Sequence, residues 1–112
     1  MSFRIEKINE LIKQKLGQII SQEMEFPQNC LVTISRVQTS PDLKYCQVFI
    51  TVLPEKFRGS VLEILNKNRH NLYRELKAYL KTKFTPNLKF ALDQQEIFAS
   101  EVDKLLDEIN KQ

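Results

Sequence analysis

No long apolar run interrupts this sequence. The longest, Val48 to Leu53, already contains Thr51 and falls far short of the roughly 20 residues that span a bilayer as a helix, so no membrane-spanning helix is expected. Met1 to Gly17 carries Arg4, Lys7, Lys13 and Lys15 interleaved with Glu6 and Glu10. That pattern breaks a signal-peptide core and supplies acids that transit peptides avoid, and the expected location is the cytoplasm. Histidine occurs once, at His70, and cysteine twice, at Cys30 and Cys46, without a CxxC spacing. Neither a disulfide framework nor a zinc ligand set can be built from these, so both thiols are expected to be reduced, the chain monomeric, and cofactors and metals none. A lone histidine, and cysteines with no base partner in sequence, also leave no nucleophile, base and orienter to assemble. No enzyme is expected. Asp42 and Asp93 read as a turn residue and an end-of-strand or helix-capping group, not as a carboxylate pair. Repeats, linkers and low-complexity tracts are likewise missing.

What remains is an ordinary globular composition, 42% hydrophobic and 28% charged over 112 residues, enough for one domain spanning 1–112 but not for two separate cores. Ile5, Ile8, Ile12, Leu16, Ile19 and Ile20 recur at spacings of three and four, which predicts a helix from about Ile5 to Glu23, stopped before Phe26-Pro27. Leu31 to Thr39 is rich in β-branched residues, and Val37 lies on the opposite parity to Val32 and Ile34, which predicts a strand with a bulge near Ser35-Arg36. Ser40-Pro41-Asp42 supplies a turn. Cys46, Val48, Ile50 and Val52 then alternate with Tyr45, Gln47, Phe49 and Thr51, completing a hairpin whose outer face carries the two aromatic rings.

After Pro54 a helical period runs from roughly Lys56 to Lys83, broken by Asn66-Lys67-Asn68-Arg69-His70-Asn71. Three asparagines in a stretch without a large apolar side chain predict two helices joined by a kink, held by asparagine capping or with His70 as a hydrogen-bonding kink residue, and one long helix is the alternative. Leu88, Phe90 and Leu92 alternate as a third strand, and Phe98, Val102, Leu105 and Ile109 mark a last amphipathic helix. Its stripe reads as core packing, because small domains need every apolar face they have. The order is α-β-β-α-α-β with an appended C-terminal helix: an α+β fold with helices packed on one face of a three-stranded sheet, which is also the order of type II KH domains.

Charge is unevenly spread. Asn66 to Lys89 holds Lys67, Arg69, Arg74, Lys77, Lys81, Lys83 and Lys89 against Glu75 alone, a local charge of +6. From Asp93 onward six acids face two lysines, a segment that repels phosphate. Arg74, Lys77 and Lys81 share one helical face and Lys67 and Arg69 lie in the kink, an arrangement that suits a run of phosphates. The same residues also suit a solvated surface that only keeps the chain soluble.

Two blocks then resemble a known family. Val32-Thr-Ile-Ser-Arg-Val37, Ser40-Pro-Asp42-Leu43 and Val48-Phe-Ile50 track the hairpin of the ribosome-binding factor A family. Leu76 followed by Pro86-Asn-Leu88-Lys-Phe90-Ala-Leu-Asp93 is similar to its Pro-x-Leu-x-Phe-x-x-Asp segment. The resemblance spans nearly the whole chain. It departs where the family usually carries an Ala-x-Gly kink and this chain reads Asn68-Arg69-His70, and at Tyr73, where many members have arginine. It implies a KH-like fold and binding to the free small ribosomal subunit and its rRNA. It also implies support for late maturation and rRNA precursor processing, especially in the cold. Carried onto this sequence, the RNA-facing residues are Lys67, Arg69, His70, Arg74, Lys77, Lys81 and Lys83, with Arg36 and Lys44 at the border. The alternative is a protein-only interaction module docking through the amphipathic C-terminal helix.

Overall fold

A computed structural model describes residues 3–80 and 85–110 of the chain. Helix α1 (Phe3–Glu23) leads into a hairpin of β1 (Leu31–Thr39) and β2 (Tyr45–Leu53). After a single 3-10 turn at Glu55–Phe57 come α2 (Arg58–Lys67), α3 (Arg69–Leu80), β3 (Asn87–Leu92) and α4 (Gln94–Asn110). The strands form one sheet in the order β1-β2-β3. The first pair is antiparallel and the second parallel. A parallel neighbour cannot be reached by a tight turn, and α2 and α3 supply the crossover.

The parity switch in β1 is a bulge. Ile34 pairs with Ile50, and the next pair is Arg36 with Phe49, so Ser35 is the extra residue. The insertion lets Val32, Ile34, Val37 and Thr39 all fall on the side that faces the helices, opposite Val52, Ile50, Val48 and Cys46. Without it, Val37 would point at solvent. The core is continuous: Leu16, Val48, Ile50, Leu65, Leu76 and Phe90 are buried in one cluster, and the half-buried Ile34 packs against it. Helix α1 contributes Ile12, Leu16, Ile19 and Ile20, and α2 and α3 contribute Val61, Leu65, Leu72 and Leu76.

The hairpin turn is held by short-range bonds. Ser40 N–H donates to Tyr45 O (2.8 Å) and Leu43 N–H to Ser40 O (2.9 Å). Asp42 Oδ1 accepts from Ser40 Oγ at 2.6 Å and Lys44 N–H at 3.1 Å; the Ser40 hydroxyl foremost, then the Lys44 amide, holds this carboxyl below the usual carboxylate range. These bonds keep Leu43 at φ 63°, a left-handed conformation rare for a branched side chain.

Cys46 is buried and Cys30 only half-buried. Cys46 pairs with Thr39 near the hairpin turn, whereas Cys30 precedes Leu31, which pairs with Leu53 at the other end of the ladder. A disulfide between them would require the hairpin to open. Burial pushes the Cys46 thiol up to about 11, against a smaller opposing effect of the Thr39 hydroxyl. Because the thiolate is the reactive form, a disulfide-exchange reagent at pH 8 should modify Cys30 first in the native protein and find two free thiols after unfolding without reductant. A native protein whose Cys46 reacts as fast as Cys30 would contradict this packing.

One expectation fails. The stripe of the last helix does not enter the core: Phe98 is 68% exposed, and Leu105 and Ile109 are 59% exposed each. None of the side chains of α4 is buried. Helices α1, α2 and α3 already cover the inward sheet face, so a fourth amphipathic helix has no apolar surface left to meet. The radius of gyration is 15.8 Å with a long axis of 57 Å, against about 13 Å for a compact chain of this length, which fits a helix that projects.

The root of α4 is nevertheless fixed. Asp93 is buried, at 2% exposure, and its Oδ1 caps the helix by accepting from the N–H groups of Gln95 (3.1 Å) and Glu96 (3.2 Å). Its Oδ2 accepts from the Ser35 hydroxyl and from Arg36 Nε at 3.3 Å. Both donors belong to the bulge, so the bulge and the cap form one polar joint across the sheet. Burial alone raises this carboxyl, but the bonds from Ser35 and Glu96 and the Arg36 charge outweigh it, and the group stays below its ordinary value. A carboxylate depressed in the folded state contributes stability above its unfolded value and loses it as pH falls through the folded one. Asp93→Ala should therefore cost about 2–4 kcal/mol near neutral pH, since it removes a cap and strands Arg36 and Ser35. Asp93→Asn should flatten the acid limb of the stability curve below about pH 4. Equal pH dependence of wild type and Asp93→Asn in denaturant titrations would refute the assignment.

Candidate nucleic-acid interface

The break between α2 and α3 falls on Asn68, at φ −98° and ψ 6°. Its side-chain Nδ2 donates to Ile64 O at 2.8 Å, and its own N–H reaches the same carbonyl at 3.2 Å. One asparagine thus closes the end of α2, while its carbonyl accepts from Leu72 N–H at 3.0 Å to start α3. The φ is negative, so the bend needs none of the left-handed freedom that favours glycine. Nor do Arg69 and His70 take a positive φ, so the bend is held by the Asn68 side-chain bond and not by left-handed backbone. The kink bond is made by Asn68, the asparagine capping that the sequence allowed, and His70 stands exposed in the first turn of α3.

Around this kink the predicted cations separate into groups. Arg69, His70, Arg74 and Lys77 are all exposed on α3, and among the described residues Arg74 and Lys77 have no acidic partner within ion-pair distance. Lys67 is exposed but lies 3.4 Å from Glu63 one turn earlier, a surface pair that water and salt weaken easily. Lys81 and Lys83 lie outside the described residues. Glu75, the one acid of the basic segment, is set against α1: burial and the neighbouring Glu23 raise its carboxyl, with Lys15 opposing. Tyr79 is on the same side, its ring 5.2 Å from Lys15 Nζ. The acid is thereby held away from the flank that carries Arg74 and Lys77.

The kink does not stand alone. Arg69, His70 and Tyr73 line a groove of about 650 Å³ whose other wall is Tyr45, Asn87, Leu88 and Lys89. Lys44 borders an adjoining hollow with Tyr45 and Asn87, and its carbonyl receives the first N–H of β3 at 2.9 Å. The hairpin turn, the start of β3 and the kink therefore meet at one end of the sheet, with Lys44, Lys89, Arg69 and His70 around a concave surface. Two phenol rings lie in it, and Tyr45 is 63% exposed. Such a surface offers cations for phosphates and ring faces for bases.

Arg36 is differently placed. Its guanidinium carbon stands 3.9 Å from the centre of the Phe49 ring, and its Nε is bonded to Asp93. Half-buried Phe49 is thus capped by Arg36, which is already engaged on both sides near the root of α4. Tyr73 and Asn87 are groove residues outside the predicted set, whereas Lys89 belongs to the basic segment and Tyr45 to the outer aromatic face already singled out. The parity of β3 was the available signal for Lys89, since buried Leu88 and Phe90 leave it facing out. Nothing local in the sequence ties Tyr45 to Tyr73. Among the described residues no three His, Cys, Asp or Glu side chains lie close enough to hold a metal ion, and no helix is long and apolar enough to cross a membrane.

Comparison with known proteins bears on the same fold. The family model described as ribosome-binding factor A matches residues 4–106. A ribosome-binding factor A from Macrococcus caseolyticus is 30% identical over 112 residues, covering 99% of this chain and 98% of the relative. The crystal structure of ribosome-binding factor A from Thermus thermophilus superposes with a TM-score of 0.70 at 19% identity, covering 79% of this chain and 94% of that one. A homology model of the Thermus thermophilus protein, fitted into a cryo-EM map of its complex with the 30S subunit, gives 0.65 at 24% identity, over 74% and 88% of the two chains.

Proposed function

The chain belongs to the ribosome-binding factor A family, and from that premise we propose that it is a non-catalytic assembly factor that binds the free small ribosomal subunit through its rRNA. It acts as a single cytoplasmic domain over 1–112, as a monomer and without a cofactor, late in subunit maturation. It supports processing of the rRNA precursor, above all in the cold. The RNA-facing surface is the kink and the adjoining flank of α3, with Lys67, Arg69, His70, Arg74, Lys77, Lys81 and Lys83. Lys44, Lys89 and Tyr45 extend it across the groove, and Arg36 stands at its border.

The observation that carries this reading is the meeting of the kink with the β2–β3 edge. Cations twenty or more residues apart in sequence meet here, Arg69 and Lys89 in one groove with two aromatic rings and Lys44 in the hollow beside it. A surface that served solubility alone would have no need to concentrate them in a concavity. Sedimentation with purified particles tests the proposal: the protein should travel with free small subunits and not with whole ribosomes, and should leave the subunit as salt rises. Equal partition between free subunits and whole ribosomes would oppose it.

A further inference from the structure

We propose that α4 is a docking helix, and that its partner is a protein groove with an apolar floor and a rim of lysine and arginine. Phe98, Val102, Leu105 and Ile109 recur at spacings of four, three and four, and Leu106 widens the stripe to one side. All five are exposed, Phe98 the most at 68% and Val102 the least at 37%. Patches of this kind on small proteins mark interaction sites, and anchors at such spacings are how a helix reads a groove.

The helix is held out and not merely loose. Asp93 caps it and is bonded to Ser35 and Arg36 of the bulge, and Lys104 Nζ is 3.3 Å from Glu55 Oε1 in the turn before α2. Both ties lie off the apolar stripe. The buried Asp93 cap fixes where α4 leaves the domain, the Lys104–Glu55 pair adds only a weak surface tie, and Phe98, Leu105 and Ile109 stay uncovered.

Charge selects the class of partner. From Gln94 to Asn110 the helix carries Glu96, Glu101, Asp103, Asp107 and Glu108 against Lys104 alone. Glu101 and Glu108, seven residues apart, border one side of the stripe, and Asp103 and Asp107 follow beyond Leu106 on the other. Phosphates would be repelled along the whole helix, so RNA and anionic lipid are poor occupants. A second copy of α4 would set acid against acid. An apolar protein groove rimmed by cations satisfies stripe and borders together.

The proposal rests on the function proposed above only for where the groove is sought, among the proteins of the small subunit. Two variants test it on purified small subunits. Phe98→Gln with Leu105→Gln removes two anchors while keeping good helix formers. It should weaken binding by at least about tenfold, as expected when two large apolar side chains lose their burial, with the salt slope unchanged. Glu101→Lys with Glu108→Lys keeps the stripe, reverses the rim and should weaken binding as well. Affinity for deproteinised rRNA should be the same for wild type and the Gln variant. A photo-crosslinking residue at position 106 should join to a basic protein of the subunit.

Wild-type affinity of the Gln variant for subunits would overturn the proposal, as would an equal loss on deproteinised RNA or a crosslink to RNA or to a second copy. If the wild type does not bind subunits at all, the functional reading falls with it. Unchanged binding of the Gln variant beside a loss for an α3 charge variant removes this inference alone.

Discussion

Phe90→Ala should destabilise the protein by about 3–5 kcal/mol. Phe90 is 6% exposed, sits in β3 opposite Val48 of the central strand, and belongs to the cluster that joins strand residues to Leu65 and Leu76 of the crossover helices. Removing the ring forfeits its burial and opens a cavity bounded by a sheet on one side and helices on the other, neither of which can collapse freely. At the lower end of an ordinary stability of about 5–15 kcal/mol, the variant would keep little margin. Urea unfolding followed by circular dichroism measures this directly, and a loss below about 1 kcal/mol would mean that Phe90 is not a core residue.

The second large effect is on binding. Arg74→Glu with Lys77→Glu should lower affinity for small subunits steeply and flatten its salt dependence by about one unit of slope per lost phosphate contact. Both positions are exposed, so stability should move by no more than about 0.5 kcal/mol, which separates loss of binding from loss of fold. Reversal at Lys56, an exposed cation at the far end of the sheet from the kink, should leave affinity nearly unchanged. In cells the double variant should accumulate immature small-subunit RNA, most visibly at low temperature. Equal affinities and equal salt slopes for wild type and variant would show this flank to be a solvated surface only.

Much of the fold was legible because its signals are local. The bulge announces itself as a change of parity between Ile34 and Val37, and the helix break as asparagines crowded into a helical period. Both features depend on residues adjacent in the chain, so spacing alone exposes them. Those that escaped depend on distant partners. Arg36 reads as a free cation until Asp93, 57 residues later, is brought under it. Tyr45, Arg69 and Lys89 carry no mark of belonging to one groove, nor Lys44 of bordering it, until β3 adds beside β2. The stripe of α4 shows the converse limit: periodicity reveals that a helix has an apolar face but not whether the chain itself supplies the cover. Here three helices had already filled the sheet face.

The separation of charge between the two ends of the sheet has a consequence for how the molecule travels. The basic kink lies where β2 and β3 begin, and the acidic α4 is rooted where they finish. A body with opposite charges at its ends is an electric dipole. In the field of a polyanionic particle it feels a torque before it feels a contact, over distances of about a Debye length, about 8 Å at physiological ionic strength. The chain should therefore arrive already turned, kink first and α4 trailing. Its association rate, more than its residence time, should then depend on keeping the two charges apart.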